Sequence, residues 1–374
     1  MTSEQEFLSV VIRSAIKGEK ITTQPQIDII KFFKLANKHS LQVLTYFTLL
    51  NNGLFLDSLA DLKKVVYKLI LRANNLDNDI QIALNALKEN DIKVITIKGY
   101  NIRKLYPNPD MRYLLDFDCL IEEKDKSKVK KLLKQAGFRY TKSTAKHLEF
   151  NSQTGRLLEF HTKLFERFLK DDYLQEVLSS PSATLNAEQE YIIALAHLAS
   201  HFVSGGVGVR NIIDLYLLDK QITDRQSLNA KLERVGLAEF DKNFQILAKD
   251  LFDNQTPTKQ SLELMEYIYE SEYLGGQNQK ELFAMAMAYD GDIKKAKQSS
   301  VWQKIFPPYR HMVGIYPSLK KCPILLPIYH IRRYFAVIFK RRKNLSKLKK
   351  FNAYTEQEVI KISNILTDLG LKNK

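Results

Sequence analysis

Apolar and polar residues follow two different periods along this chain. In residues 4–90 apolar residues recur at helical spacing, as in Phe7, Val10, Val11 and Ala15, and the same spacing returns from about residue 187 to about residue 297. Between these regions short apolar runs alternate with polar residues, which is typical of β-strands. The pattern therefore predicts an α+β protein that is mostly α, in which a small mixed sheet is flanked by helices.

The boundaries of the elements follow from turn and helix-end residues. Gly137 is a normal residue for the end of a helix over residues 124–136, and residues 151–155 (NSQTG) favour a hairpin turn. The further expected elements are strands at 91–97, 113–121, 138–140, 147–150 and around 159, and helices at 100–105, 188–203 and 211–218. The expected division is a helical segment at 1–90, a catalytic core at 91–180, a helical domain at 181–299 and a basic amphipathic segment at 300–374.

The strand at 113–121 carries two carboxylates on one face. Successive side chains of a strand point to opposite faces, so Asp116 and Asp118 share one face while Leu115, Phe117 and Cys119 share the other. Two aspartates at alternating positions in an apolar strand repel each other unless a cation lies between them. The alternative is a solvated edge strand that carries two charges.

The strand near residue 159 has the same alternation. Leu157, Glu159 and His161 share one face, and Leu158 and Phe160 share the other. The two strands together can offer three carboxylates and an imidazole. Hard oxygen ligands of this kind suit Mg²⁺ (or Mn²⁺), which leaves other coordination positions to water and phosphates. An ordinary strand carboxylate is the alternative for Glu159.

Composition limits the class of protein. The chain has 374 residues, 45% of them hydrophobic and 26% charged, which is ordinary for a globular protein with a real core. Its two cysteines argue against a disulfide framework and favour a reducing cytoplasm. The first residues lack the basic and apolar regions of a signal peptide, and no stretch of 18 apolar residues occurs. A cytoplasmic protein is expected.

The net charge of +15 is concentrated near one end. Residues 301–350 contain thirteen Lys or Arg and no Asp or Glu. Aromatic and aliphatic residues lie between these charges, so residues 320–350 are expected to make peripheral contact with an anionic membrane at its inner face. The alternative is that Phe335, Ile338 and Phe339 pack into the protein. The pattern favours nucleic acid less, because the segment lacks an aromatic recognition motif.

Two other motifs have plain structural explanations. His197 and His201 lie four residues apart on a helix, a spacing compatible with zinc, but no third ligand accompanies them. Packing within the helical region is the favoured account. The glycines at 205, 206 and 208 follow no strand and precede no Lys-Ser or Lys-Thr, so they do not form a Walker loop.

Several motifs in a fixed order carry a resemblance to a known family. They are ITIKG at 95–99, LYP at 105–107, Arg112 with DFD at 116–118, AGF at 136–138, LEFH at 158–161, HLASH at 197–201 and RNIID at 210–214. Over roughly residues 25–250 the chain resembles the uncharacterised nucleotidyltransferase family of the polymerase-beta-like superfamily. A single Lys98-Gly99 stands where that superfamily generally has Gly-Ser or Gly-Gly.

The resemblance implies transfer of an NMP from an NTP, with ATP the expected nucleotide, to an unidentified hydroxyl-bearing acceptor by a two-metal mechanism. It implies these roles: Asp116, Asp118 and Glu159 as catalytic residues and metal ligands, and Lys98, Gly99, Arg112, His161 and Arg210 as nucleotide-binding residues. Glu159 would ligate a metal or act as a base. Lys98 and Arg112 would neutralise the triphosphate or, alternatively, pair with carboxylates of the protein.

Two other classes of function remain open from the sequence. The first is a non-catalytic protein that binds a nucleotide or a partner on the same fold, which the single Lys98-Gly99 favours. The second is an RNA-binding or RNA-modifying protein, which the isoelectric point near 9.4 favours.

Overall fold

The computed structural model describes residues 1–144, 146–164, 168–169, 171–180, 182–253, 256–271, 279–340 and 354–372. The chain forms two compact units. The first comprises Met1–Ser143, His147–Ser200 and Val207–Tyr273, and the second comprises Thr144–Lys146, His201–Gly206 and Leu274–Lys374. The four-part division expected from the sequence stays a prediction.

Helices make up most of the described chain, as predicted. In chain order they are α1 Ser3–Lys17, α2 Ile29–Lys38, α3 Gln42–Asn51, α4 Leu56–Lys88, α5 Gly99–Ile102, α6 Lys126–Gln135, α7 Asp171–Ser179, α8 Ala187–Phe202, α9 Val209–Asp219, α10 Arg225–Val235, α11 Ala238–Phe252, α12 Lys259–Glu270, α13 Gln279–Ala288, α14 Ile293–Ile305, α15 Tyr309–Ile315, α16 Leu326–Lys340 and α17 Glu356–Asp368. Short 3₁₀ helices occur at Arg103–Leu105, Pro109–Arg112, Glu123–Asp125, Pro317–Lys320 and Pro323–Leu325.

The predicted small mixed sheet is confirmed in the first unit. Its strands are β1 Ile95–Thr96, β2 Asp116–Leu120, β3 Arg139–Ser143, β4 His147–Asn151 and β5 Leu157–His161. The order across the sheet is β1-β2-β5-β4-β3. Strands β2 and β5 are parallel, and the other neighbouring pairs are antiparallel.

One face of the sheet packs on α4 and α6. Helix α4 presents Leu76, Ile80, Ala83 and Leu87, which recur at helical spacing and are all fully buried. They belong to one core with apolar side chains of the sheet and of α6, namely Phe117, Cys119, Val129, Leu133, Leu148, Phe150, Leu158 and Phe160. Each Val, Leu, Ile or Phe side chain among them contributes about 1.5 to 3 kcal/mol when it is removed from water. This burial fixes which strand residues face the core, and therefore which face the other way.

Local signals in the sequence set several element ends. Helix α6 ends before Gly137, whose φ of 89° is the left-handed conformation that favours glycine. The turn between β4 and β5 is closed by a hydrogen bond from the Gly155 N–H to the Ser152 carbonyl at 3.0 Å.

Two local predictions were wrong. The strand expected at 91–97 is only the two residues Ile95–Thr96. Its expected first residues instead belong to the turn that follows α4: Asp91 has a positive φ of 56°, and the N–H groups of Asp91 and Ile92 donate to carbonyls at the end of that helix. Leu115 was expected on the buried face of its strand. However, β2 begins at Asp116, the residue after Leu115, and Leu115 is 41% exposed.

The second unit is helical where it is described. Buried apolar residues there include Phe283, Met285, Ala286, Ala296, Val359, Ile362 and Leu366. The helical C-terminal region predicted from the sequence is confirmed. Residues 341–353, which include part of the predicted membrane segment, lie outside the described residues, and so do the side chains of Ile338 and Phe339. Among the described helices, none is both long and apolar enough to cross a membrane.

Candidate metal and nucleotide site

The polar side chains of three neighbouring strands lie side by side on the sheet face opposite the core. Because β2 and β5 are in register, Asp118 lies beside Glu159. The β4–β5 pairing places Glu149 on the other side of Glu159 and places His147 beside His161. The alternation seen in the sequence thus produces a row of three carboxylates with two imidazoles next to it.

Asp118 is a buried carboxylate whose partners are a lysine and a histidine. Its Oδ1 accepts a hydrogen bond from Lys98 Nζ at 2.8 Å, and His161 Nε2 lies 2.7 Å from the same oxygen. Burial alone would raise the pKa of Asp118, but the Lys98 ammonium and the His161 ring hold it well below its usual range. Asp118 is therefore ionised, and the protein itself compensates its charge.

Asp116 lies at the exposed start of β2 and has a different environment. Its pKa is raised to about 6, first because surrounding protein atoms desolvate the carboxyl and second because the Asp118 carboxylate repels it. Water on its open side limits the first effect, since the side chain is exposed. The charges of Lys98 and Arg210 act in the opposite direction and lower the pKa of Asp116.

His161 links the carboxylates of the two strands. Its Nε2 also lies 3.2 Å from Glu159 Oε2. Burial alone would lower the pKa of His161, but its hydrogen bonds to Asp118 and Glu159 raise it overall. The ring thus belongs to the acidic cluster itself.

Two groups of side chains have the spacing of metal ligands. Ligand atoms of Asp118, Glu159 and His161 all lie within 4.8 Å of one another, and so do those of His147, Glu149 and Glu159. Glu159 is common to both groups. Asp116 is in neither group, although the sequence placed it on the same face as Asp118. His197 and His201 are in neither of the two groups with this spacing that occur among the described residues.

Lys98 has a strained backbone. Its φ of 57° and ψ of −131° are rare for a residue with a side chain and cost about 1 to 3 kcal/mol. The ion pair between Lys98 and Asp118 offsets part of this cost, because both side chains are nearly buried. Strain of this kind concentrates at functional sites.

Gly99 allows close packing of Arg112. A Cβ added at Gly99 would lie 2.9 Å from Nη1 of Arg112 and 3.4 Å from its Cζ. The guanidinium cannot move away easily, because its Nε and Nη2 donate to Oδ1 and Oδ2 of Asp214, both at 2.8 Å. The Tyr106 hydroxyl donates to the same Asp214 Oδ1 at 2.7 Å. The close contact with Arg112 therefore explains why residue 99 is a glycine.

Arg112 and Arg210 are both buried. Arg112 pairs with a carboxylate of the protein, which is the alternative that the sequence left open beside nucleotide contact. Arg210 is 2% exposed, and its guanidinium lies 6.0 Å from the centre of the Tyr113 ring. Nucleotide contact by these two residues stays a prediction.

Sequence reasoning did not single out His147 and Glu149. His147 Nε2 lies 2.7 Å from Glu149 Oε1, which also pairs with Lys142. These contacts lower the pKa of Glu149, against the effect of its partial burial. The signal was present in the sequence, because His147 and Glu149 alternate with the apolar Leu148 and Phe150.

Comparison with known proteins gives one family. The family model described as uncharacterised nucleotidyltransferase matches residues 25–253, which is more than half of the chain and includes every residue discussed in this subsection. No curated protein and no solved structure matched the chain. From the extent of the family match we conclude that this protein belongs to the uncharacterised nucleotidyltransferase family.

Proposed function

We propose that this protein is a metal-dependent nucleotidyltransferase that moves an NMP group from an NTP to a hydroxyl-bearing acceptor, with ATP as the first nucleotide to test. Family membership supports the class of reaction. The observation that carries the proposal is the convergence of ligand atoms from Asp118, Glu159 and His161 within 4.8 Å. This cluster lies on the sheet face opposite the apolar core.

The acidic residues fit a divalent cation. The carboxylates of Asp116, Asp118 and Glu159 are hard oxygen donors, which Mg²⁺ and Mn²⁺ prefer. The Asp118 charge raises the pKa of Asp116, and a bound cation would relieve this repulsion. When bound, the metal would supply positive charge to the phosphates and polarise the reacting oxygens.

The reaction itself is a substitution at phosphorus. The acceptor oxygen forms a bond to the α-phosphorus, the bond from that phosphorus to the oxygen bridging to the β-phosphorus breaks, and pyrophosphate leaves. The acceptor's proton goes to a carboxylate of the cluster, for which Glu159 is our candidate because it lies between the carboxylates of β2 and β4.

Cationic residues near the cluster would stabilise the negative charge of the phosphates during transfer. Lys98 is already within the cluster, where its ammonium would stabilise the charge of the departing pyrophosphate. His161 adds a second donor at the same place. For Arg112 we propose a positioning role through its packing under Gly99, and for Arg210 a long-range contribution to the potential near Asp116.

The experiment uses two radiolabels. The full-length protein is incubated with Mg²⁺, cell extract and each NTP, labelled at either the α- or the γ-phosphate. Label from the α-phosphate should move to an extract component, while label from the γ-phosphate should appear only in pyrophosphate. Transfer of the γ-label would indicate a kinase and would contradict the proposal.

Variants of the acidic cluster and a matched control test whether this cluster is required for transfer of the α-label. Asp118→Asn and Glu159→Gln should each abolish α-label transfer, whereas Glu89→Gln, which changes an exposed acid at the end of α4, should leave it unchanged. Equal activity in all three variants would refute the assignment of the site.

A second candidate is a protein on the same fold that binds a nucleotide without turnover. It is favoured by the charge compensation of Asp118, because Lys98 and His161 neutralise the carboxylate without a metal. NTP binding with no transfer of the α-label to any extract component would support this candidate.

A further inference from the structure

An apolar stripe lies on the solvent-exposed side of α16 in the second unit. It consists of Ile324, in the 3₁₀ turn before the helix, and of Ile328, Ile331 and Phe335 within it. The spacing of four, three and four residues places them on one helical face. Their exposed fractions are 82%, 59%, 54% and 58%. More than half of the surface of each of these four large apolar residues is therefore accessible to water.

The opposite side of α16 fixes the rotation of the helix. The Tyr334 hydroxyl donates to the Ile305 carbonyl at 2.6 Å, and Arg333 donates to the carbonyls of Lys304 and Ile305, both at 3.2 Å. The His330 ring lies 5.8 Å from the Phe306 ring. The exposure of the stripe thus follows from defined contacts on the other side of the helix.

The packing alternative considered for this region stays a prediction, since the side chains of Ile338 and Phe339 lie outside the described residues. For Phe335, more than half of the residue's surface is accessible to water. Other apolar residues of the same unit are exposed as well, including Trp302 at 62%. A cluster of exposed apolar side chains marks an interaction surface more often than a solvated one.

The charge around the stripe indicates the partner. Lys320, Lys321 and Arg332 are exposed, and residues 301–350 contain thirteen basic residues and no acidic one. An apolar face with basic residues beside it complements an anionic lipid surface, where acyl chains accept the apolar side chains and headgroups accept the cations. Helix α16 has 15 residues and is about 22 Å long, which is shorter than a bilayer core of about 30 Å.

We propose that the apolar stripe and the neighbouring basic residues dock on the anionic surface of a lipid bilayer, with α16 lying in the plane of the interface. This inference is independent of the proposed transfer reaction, because it rests on side chains of the second unit alone. It does not require any contribution from the acidic cluster.

The test is flotation of the full-length protein with two kinds of vesicle at low salt. Vesicles of phosphatidylcholine with phosphatidylglycerol should carry the protein upward, vesicles of phosphatidylcholine alone should not, and high salt should release it. Protein that stays at the bottom of the gradient with both vesicles would overturn the proposal. Equal binding to both vesicles would do the same, because anionic lipid would then be irrelevant.

Two pairs of variants identify the surface. Ile328→Ser with Ile331→Ser should weaken vesicle binding at least tenfold, whereas the control Ile30→Ser, at an apolar residue of α2 that is 66% exposed, should not. Lys320→Gln with Lys321→Gln should weaken binding by about fivefold per charge. The control for charge is Lys64→Gln with Lys68→Gln, two exposed lysines of α4. Equal losses in test and control variants would overturn the proposal.

Two other partners of this surface, a second copy of the chain and RNA, would give different results in these experiments. If the stripe joins two copies of the chain, Ile328→Ser with Ile331→Ser will convert a larger species into a monomer in light scattering, and no vesicle binding will be seen. If the basic residues serve RNA, the protein will bind RNA with steep salt dependence and will not float with anionic vesicles. Either result would contradict membrane docking.

Discussion

Asp116 and Asp118 should respond in opposite ways to the same chemical change. Both are aspartates on one strand, and replacement by Asn removes a charge with little change of shape. Asp118 is hydrogen-bonded to Lys98 and His161, whereas Asp116 is repelled by Asp118. The sequence alone suggested that repulsion dominates at both positions. The structure separates the two residues.

The magnitude for Asp118→Asn follows from its contacts. The variant weakens two charge-assisted hydrogen bonds, to Lys98 at 2.8 Å and to His161 at 2.7 Å. Each such bond contributes about 1.5 to 3 kcal/mol, and loss of one charge from a buried pair costs about 3 to 5 kcal/mol. Because Asn can still accept a hydrogen bond, we expect the free energy of unfolding to fall by about 3 kcal/mol.

The magnitude for Asp116→Asn is smaller and of opposite sign. The variant removes a repelling charge from an exposed carboxyl, and screening by water limits the gain. We expect the free energy of unfolding to rise by about 1 kcal/mol or less. Urea unfolding followed by circular dichroism measures both changes.

Unfolding in the presence of Mg²⁺ distinguishes a variant that only changes stability from one that has lost the proposed metal site. A ligand at 100 times its Kd stabilises the folded protein by about 2.7 kcal/mol, so Mg²⁺ should stabilise the wild type to this extent. The Asp116→Asn variant should keep its fold but lose most of this gain and lose α-label transfer. Equal destabilisation by the two substitutions, or full Mg²⁺ stabilisation of both variants, would refute the reasoning.

Three further predictions concern buried groups, two of them beside the site. Asp214→Asn should lower the free energy of unfolding by about 3 to 5 kcal/mol, since it removes the charge facing the buried Arg112 guanidinium; a cost below 1 kcal/mol in urea unfolding would contradict this. Gly99→Ala should lower the free energy of unfolding by about 1 to 3 kcal/mol, because the added Cβ would press on Arg112. The control Gly314→Ala should not lower it, because a Cβ at position 314 meets no atom within 4 Å. Equal melting temperatures of the two variants would argue against the packing explanation. Burial lowers the pKa of His39 from 6.5 to about 4, so the unfolded chain binds a proton at a higher pH than the folded protein does. The free energy of unfolding should therefore fall by about 3 kcal/mol as the pH falls from about 6.5 to about 4. His39→Gln should flatten this dependence of the free energy of unfolding on pH, and an unchanged dependence would refute the prediction.

The sequence by itself determined which residues of β2 and β5 face the core. Alternation of Asp116 and Asp118 with Phe117 and Cys119 is sufficient to place the carboxylates opposite the core, because side chains of a strand alternate without exception unless a bulge intervenes. The mostly helical α+β class followed in the same way from residue spacing. The order of motifs indicated the family, and the family match confirmed it.

The sequence did not determine the ends of strands or the backbone of single residues. Leu115 was assigned to the buried face of a strand expected to begin at residue 113, but β2 begins at Asp116, which leaves Leu115 outside the strand and exposed. The positive φ of Lys98 was not visible either, because it is maintained by long-range contacts such as the ion pair with Asp118, 20 residues away. Such conformations depend on the whole fold, not on local preference.

Only the tertiary structure decided the partners of the charged groups. Arg112 is 102 residues from Asp214 along the chain, and no spacing rule predicts that their side chains meet. His147 and Glu149 joined the acidic cluster because the β4–β5 register places them beside His161 and Glu159. Register and helix packing are set by the burial of the common core. The sequence therefore specified which residues could carry chemistry, and packing specified which of them meet.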